Sequence, residues 1–146
     1  MMRISTKGRY ALRIMLDLAQ SSQKGTPVAL REVAERQNIT IKYMESIISR
    51  LLKDKLVSSV RGKAGGYALT RKPEEYNVYE ILTAAEGDML PVPCLNAAKS
   101  PCPMKQTCST VNIWQGLGNV IQQYLESVTL DTLMQQKDGQ DCCNIF

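Results

Sequence analysis

Apolar residues in the first third of the chain recur at helical steps. Between positions 6 and 20, Tyr10, Ala11, Ile14, Met15, Leu18 and Ala19 fall three and four apart, the period of one buried helix face, and Thr6 is placed to cap it. Arg9, Arg13 and Asp17 read as its polar side. Gly25-Thr26-Pro27 interrupts the pattern, and Leu30, Val33 and Ala34 predict a short second helix ending near Asn38. Thr40 opens a third, whose stripe is Ile41, Met44, Ile47, Ile48, Leu51 and Leu52. That leaves Lys42, Tyr43, Glu45, Ser46, Ser49, Arg50 and Lys53 facing outward. Two helices joined by a tight turn at 37–40 make a candidate helix-turn-helix, with the second helix as the groove reader.

The period then changes. Residues 56–60 and 67–70 are short strand-like runs around Arg61-Gly62-Lys63-Ala64-Gly65-Gly66, which predicts a two-stranded wing with Arg61 and Lys63 at its tip. A lone hairpin is marginal, so Tyr67 and Leu69 are expected to lean on the helices. After Pro73, the residues Val78, Ile81, Leu82 and Ala85 predict a fourth helix stopping at Gly87. Pro91, Pro93, Pro101 and Pro103 then predict an irregular loop from Met89 to Cys108, long enough to suggest function. Beyond it Trp114, Leu117, Ile121, Tyr124 and Val128, with Ile113 and Val120 beside them, form an apolar seam on a helix from about 110 to 127. No other helix is long enough to cover that seam, so a second copy of the chain is the expected partner. The fold expected is mostly α with a small β-hairpin wing. Its parts are a winged helix-turn-helix domain (1–73), a connecting helix and cysteine loop (74–108), a dimerisation helix with a short following segment (109–135) and a tail (136–146).

Charge sharpens this picture. The net charge of +4 divides into +10 for residues 1–73 and −6 for residues 74–146. A cationic first half suits a polyanion such as double-stranded promoter DNA. Histidine is absent, which removes the usual general base and the commonest nitrogen ligand. No nucleophile-and-base constellation is visible, so neither catalysis nor a small-molecule substrate is expected. No apolar run approaches a membrane span, and residues 1–9 lack the apolar core of a signal peptide, which predicts a cytoplasmic protein with reduced thiols and no membrane partner.

Metal chemistry must therefore rest on sulfur and oxygen. Cys94, Cys102 and Cys108 are spaced C-x7-C-x5-C in the proline-rich loop. Clustered thiols in a reduced compartment suggest metal ligands or redox thiols. An iron-sulfur cluster tolerates this spacing; zinc, which favours a C-x2-C pair, and a plain thiol switch stay open beside it. Cys142 and Cys143 sit in a polar tail and read either as surface thiols or as thiols with a ligand or redox role.

Several segments in order carry a resemblance. Residues 3–11 (Arg-Ile-Ser-Thr-Lys-Gly-Arg-Tyr-Ala), Tyr43-Met44-Glu45, residues 56–62 with Gly65-Gly66-Tyr67, and the three-cysteine loop followed by a tryptophan-bearing helix together resemble the IscR-like winged helix-turn-helix regulators, over residues 2 to about 135. The resemblance implies a homodimeric transcription factor that holds an iron-sulfur cluster on the three cysteines, [2Fe-2S] favoured over [4Fe-4S], and controls genes of cluster biogenesis. It places Arg61 and Glu45 at DNA-contacting positions, and Lys42 where serine is common. Glu45 then either accepts from a cytosine amine or steadies Arg50 or Lys42; Tyr43 is either a DNA contact or a core edge. Trp114 would be interface core beside the cluster.

The fourth ligand departs from the family. Val111 stands where IscR-type chains have histidine, and Arg9 where the nitric-oxide-sensing branch has an aspartate. Ser109, Thr110, Asn112, a distant carboxylate, a tail thiol, or an external thiol or water remain as candidates. The rival readings are a zinc-bound or thiol-switch repressor without iron, as in the cysteine-metabolism branch, and an iron-sulfur electron carrier, which has no need of a reading helix.

Overall fold

The computed structural model describes residues 3–22, 26–99 and 102–136. Its elements run α1 (Thr6–Ser21), α2 (Leu30–Gln37), α3 (Ile41–Lys53), β1 (Val57–Val60), β2 (Gly66–Leu69), α4 (Val78–Glu86), α5 (Val111–Ser127) and α6 (Leu130–Gln135). Single 3-10 turns lie at Pro73–Glu75 and Pro93–Leu95. It is a winged helix-turn-helix with a helical extension.

The cap of α1 is Ser5 rather than Thr6, its hydroxyl accepting from Lys7 N at 3.1 Å. Position 5 wins because a distant carboxylate joins the cap. Ser5 N, Ser5 Oγ and Gly8 N all donate to Glu86 Oε1, at 2.8, 2.7 and 3.0 Å, so the end of α4 places a negative charge at the positive end of α1. A side chain at Gly8 would collide with that carboxylate.

Asp17 is the other correction within α1: it is 5% exposed and lies on the buried face. Arg36 of α2 grips it through Nε and Nη2, with the Nη2 to Oδ1 contact at 2.7 Å, and Gln37 Nε2 donates at 2.8 Å. Burial pushes the Asp17 carboxyl up, but the hydrogen bonds from Arg36 and Gln37 and the Arg36 charge outweigh it and hold the group below the usual carboxylate value.

Helix α2 ends on Asn38 in the left-handed conformation (φ 52°), and Thr40 caps α3 by accepting from Tyr43 N. Of the expected α3 stripe, Met44, Ile47, Ile48 and Leu51 are buried, Leu52 is half-buried and Ile41, in the first turn, is 42% exposed. The main core joins these residues to Ala11, Ile14, Met15 and Leu18 of α1, to Ile81 and Ala85 of α4, and to Tyr76 and Leu130.

The wing does not stand alone. Strands β1 and β2 pair antiparallel from Val57↔Leu69 to Val60↔Gly66, and Val28 adds a bridge to Tyr67, with N–H to carbonyl bonds of 2.9 and 2.8 Å in the two directions. Gly66 permits this approach, since a Cβ there would strike the Val28 carbonyl. Tyr76, fully buried, secures the base: its hydroxyl donates to Leu56 O at 2.7 Å and accepts from the backbone N–H of Thr70 and Arg71 at 2.8 and 3.0 Å.

Helix α5 contains no buried residue. Its C-terminal half rests on the domain through Leu125, which packs with Val128 against Val78, Leu82 and Met89. Val128 is already out of the helix, in extended conformation, and its carbonyl accepts from Val78 N at 2.9 Å; it faces its own chain rather than continuing the seam. Helix α6, which the periodicity did not announce, returns the fully buried Leu130 to the core.

Candidate nucleic-acid interface and thiol pocket

Helix α3 presents Lys42, Glu45, Ser46, Ser49, Arg50 and Lys53 as exposed residues on one side of its buried row. Tyr43 is half-buried, packed edge-on against Tyr10 with ring centres 5.9 Å apart, and Arg13 lies over the Tyr10 ring at 5.0 Å. Tyr43 is thus a core edge with a solvent-facing rim. Ser46 donates to Tyr43 O at 2.7 Å and Ser49 to Ser46 O at 3.0 Å, which turns both hydroxyl protons back onto the helix. The Arg50 guanidinium donates to Ala85 O at 3.0 Å, so it ties the end of α3 to the end of α4. Among the described residues Glu45 has no ion-pair partner; neither Arg50 nor Lys42 takes it. Arg61 and Lys63 are exposed beyond the end of β1. Sequence alone did not single out Glu86 or Tyr76, whose roles depend on partners 78 to 81 and 5 to 20 residues away. For Asp17 a signal existed: it stands three positions after Ile14, on the apolar stripe.

The proline-rich segment is organised by local polar contacts. Asn96 donates to Asp88 at 2.8 Å and accepts from the N–H groups of Ala98 and Lys99, while Lys99 pairs with Asp88 at 3.4 Å. The Asn96 bond, with help from Lys99, holds the Asp88 carboxyl below its ordinary value. Cys94 sits in the 3-10 turn, a short regular piece inside the segment expected to be irregular throughout.

Cys94, Cys102 and Cys108 all line one small cavity of about 70 Å³, together with Lys105, Thr110, Val111 and Trp114. All three are free thiols. The Thr110 hydroxyl, 3.4 Å from Cys108 Sγ, and the backbone N–H groups of Thr110 and Val111 hold the Cys108 thiol below its ordinary value. No three His, Cys, Asp or Glu side chains among the described residues converge closely enough for a single metal ion. Cys142 and Cys143 lie outside the described residues.

Trp114 also begins an exposed apolar row along α5, continued by Ile113 (64% exposed), Leu117, Val120 (63%) and Tyr124 (66%), with Ile121 half-buried at its flank. The pocket and the row therefore share a side chain. Among the described residues, no helix is long and apolar enough to cross a membrane.

Comparison with known proteins fits this architecture. Residues 4–136 match the family model described as Rrf2, iron-dependent transcriptional regulator. The HTH-type transcriptional regulator IscR of Pectobacterium carotovorum subsp. carotovorum is 39% identical over 140 residues, covering 96% of this chain and 84% of that one. Among solved structures, CymR (YrzC), the global cysteine regulator of B. subtilis, is similar with a TM-score of 0.74 and 33% identity, over 94% of this chain and all of that one. T. potens IscR is similar with a TM-score of 0.68 and 33% identity, over 94% of each chain. The Pectobacterium and B. subtilis relatives are named as regulators, not enzymes. With a reading helix, a wing and a family match running from the first helix to the last, the chain belongs to the Rrf2 family of transcriptional regulators.

Proposed function

We propose that the protein is a homodimeric, promoter-binding regulator that carries an iron-sulfur cluster on Cys94, Cys102 and Cys108 and binds DNA differently with and without it. The observation that carries this reading is the shared pocket of three thiols at the root of α5. The donor set fits the group: three cysteines line one cavity, and their C-x7-C-x5-C spacing, without a C-x2-C pair, suits a core several ångströms across better than zinc. A bound cluster supplies one-electron chemistry and sensitivity to oxidants; [2Fe-2S] is the type favoured.

The chain's own residues supply the coupling. Trp114 belongs both to the pocket and to the apolar row, so a change at the thiols reorients the surface that meets a second copy. At the other end of the loop, Glu86 caps α1, Ala85 O holds Arg50 of the reading helix, and Gly87 leads on toward Asp88 and Cys94. The proposed contacts with DNA are Lys42, Tyr43, Glu45, Ser46 and Arg50 on α3, with Arg61 and Lys63 on the wing. Genes of cluster biogenesis are the proposed targets, as the resemblance to the IscR-like regulators implies.

The likeness to CymR favours a second reading, a regulator of cysteine metabolism that works without iron. One experiment separates the two. Anaerobically purified protein is assayed for iron, sulfide and visible absorption, and for binding to promoter fragments before and after cluster removal. Coloured protein that becomes colourless in Cys102→Ala, with altered promoter binding, supports the cluster reading. Colourless, iron-free protein that binds its promoter unchanged overturns it.

A further inference from the structure

Among the described residues three threonines stand at helix N-caps, and two of them behave as such residues do. Thr40 accepts from Tyr43 N at 3.3 Å and Thr129 from Thr132 N at 3.2 Å, each satisfying a backbone donor of the first turn. Thr110, the cap of α5, makes no such bond. Its Oγ1 lies instead 3.4 Å from Cys108 Sγ, and its side chain lines the cavity with the three thiols. The neighbours that carry comparable groups are not placed this way. Ser109 and Asn112 do not line the cavity, and Val111 lines it without a side-chain donor.

The geometry points to Thr110 as a positioning residue of the thiol site: its hydroxyl donates to the Cys108 sulfur when that sulfur serves as a cluster ligand, and sets the potential of the cluster. This rests on the cluster reading. A hydrogen bond to a ligating sulfur draws electron density from it and favours the reduced state, so such partners tune the group that the ligands hold. The hydroxyl is available for this because it does not cap the helix.

The test uses full-length protein, Thr110→Val, which keeps the shape and removes the donor, and Thr110→Ser, which keeps the donor. Each is loaded anaerobically and measured for iron and sulfide, for midpoint potential, and for resonance Raman bands of the iron–thiolate stretches in H2O and D2O. The expected result is a more negative potential and loss of part of the deuterium sensitivity in Thr110→Val, with both properties retained in Thr110→Ser. A Thr110→Val protein that fails to load while Thr110→Ser loads marks the hydroxyl as a ligand rather than a donor to sulfur and overturns the assignment, as does failure of both variants. Loaded wild type and Thr110→Val with the same potential and the same isotope response overturn it while leaving the cluster reading intact. Wild type that takes up no iron or sulfide overturns both.

Discussion

At Asp17 the geometry of the reading head leans on one buried carboxylate. Because its folded pKa lies below the ordinary value of 3.8, the group stabilises the protein above that value, and the contribution is lost as the pH falls through the folded pKa. Asp17→Asn should therefore flatten the acid limb of a stability-against-pH curve measured by denaturant titration below about pH 4. Arg36→Ala leaves the carboxylate buried without its charge partner and should cost about 2–3 kcal/mol near neutral pH. Arg61 is a different kind of residue: exposed and unburdened by packing. Arg61→Ala should leave stability unchanged, weaken promoter binding and lower the slope of log affinity against log salt by about one. Legibility at this scale follows the same division. The thiols and the basic tip were readable because their chemistry is intrinsic to the residue, whereas Glu86 and Tyr76 take their roles from chain brought close only by folding.

Among the elements, the wing is the one whose stability is borrowed. Val28 gives it an extra bridge and Tyr76 ties its base to the core, so removing the Tyr76 hydroxyl strands a carbonyl and two backbone donors together. Tyr76→Phe should destabilise the fold by about 2 kcal/mol and raise hydrogen-exchange rates in β1 and β2 more than in α1. Helices α1 to α4 and the hairpin were legible within one or two residues because each packs one face on the core and so writes its period into the sequence, while α5 was legible from an apolar row that it leaves exposed. Helix α6 was not. Its six residues are too few to establish a period, and it is held by Leu130 packing and by Leu130 N donating to Tyr76 O at 3.1 Å. Val128 was misplaced for a related reason: it keeps the helical spacing of the seam after the helix itself has ended.

For the molecule as a whole, the division of charge and the bare row on α5 mark two features, a cationic first half and an apolar row, to which the proposed function assigns DNA and a second copy. The proposed dimer predicts that Val120→Asp, at a 63%-exposed position, leaves the winged domain folded but shifts sedimentation toward monomer, raising the dimer dissociation constant tenfold or more. The same variant should bind a single half-site nearly as wild type does and lose most of its preference for paired half-sites. A last consequence concerns the root of α5. Helix α5 holds no fully buried residue and meets its own chain through Leu125 in its C-terminal half, so in the proposed dimer its first turn would gain order from the second copy. Val111 and Trp114 of that turn wall the thiol cavity. Dilution should therefore loosen the cavity's wall, and iron retention should decline with subunit concentration: scarcity of the protein would itself be a signal, releasing metal before any oxidant arrives.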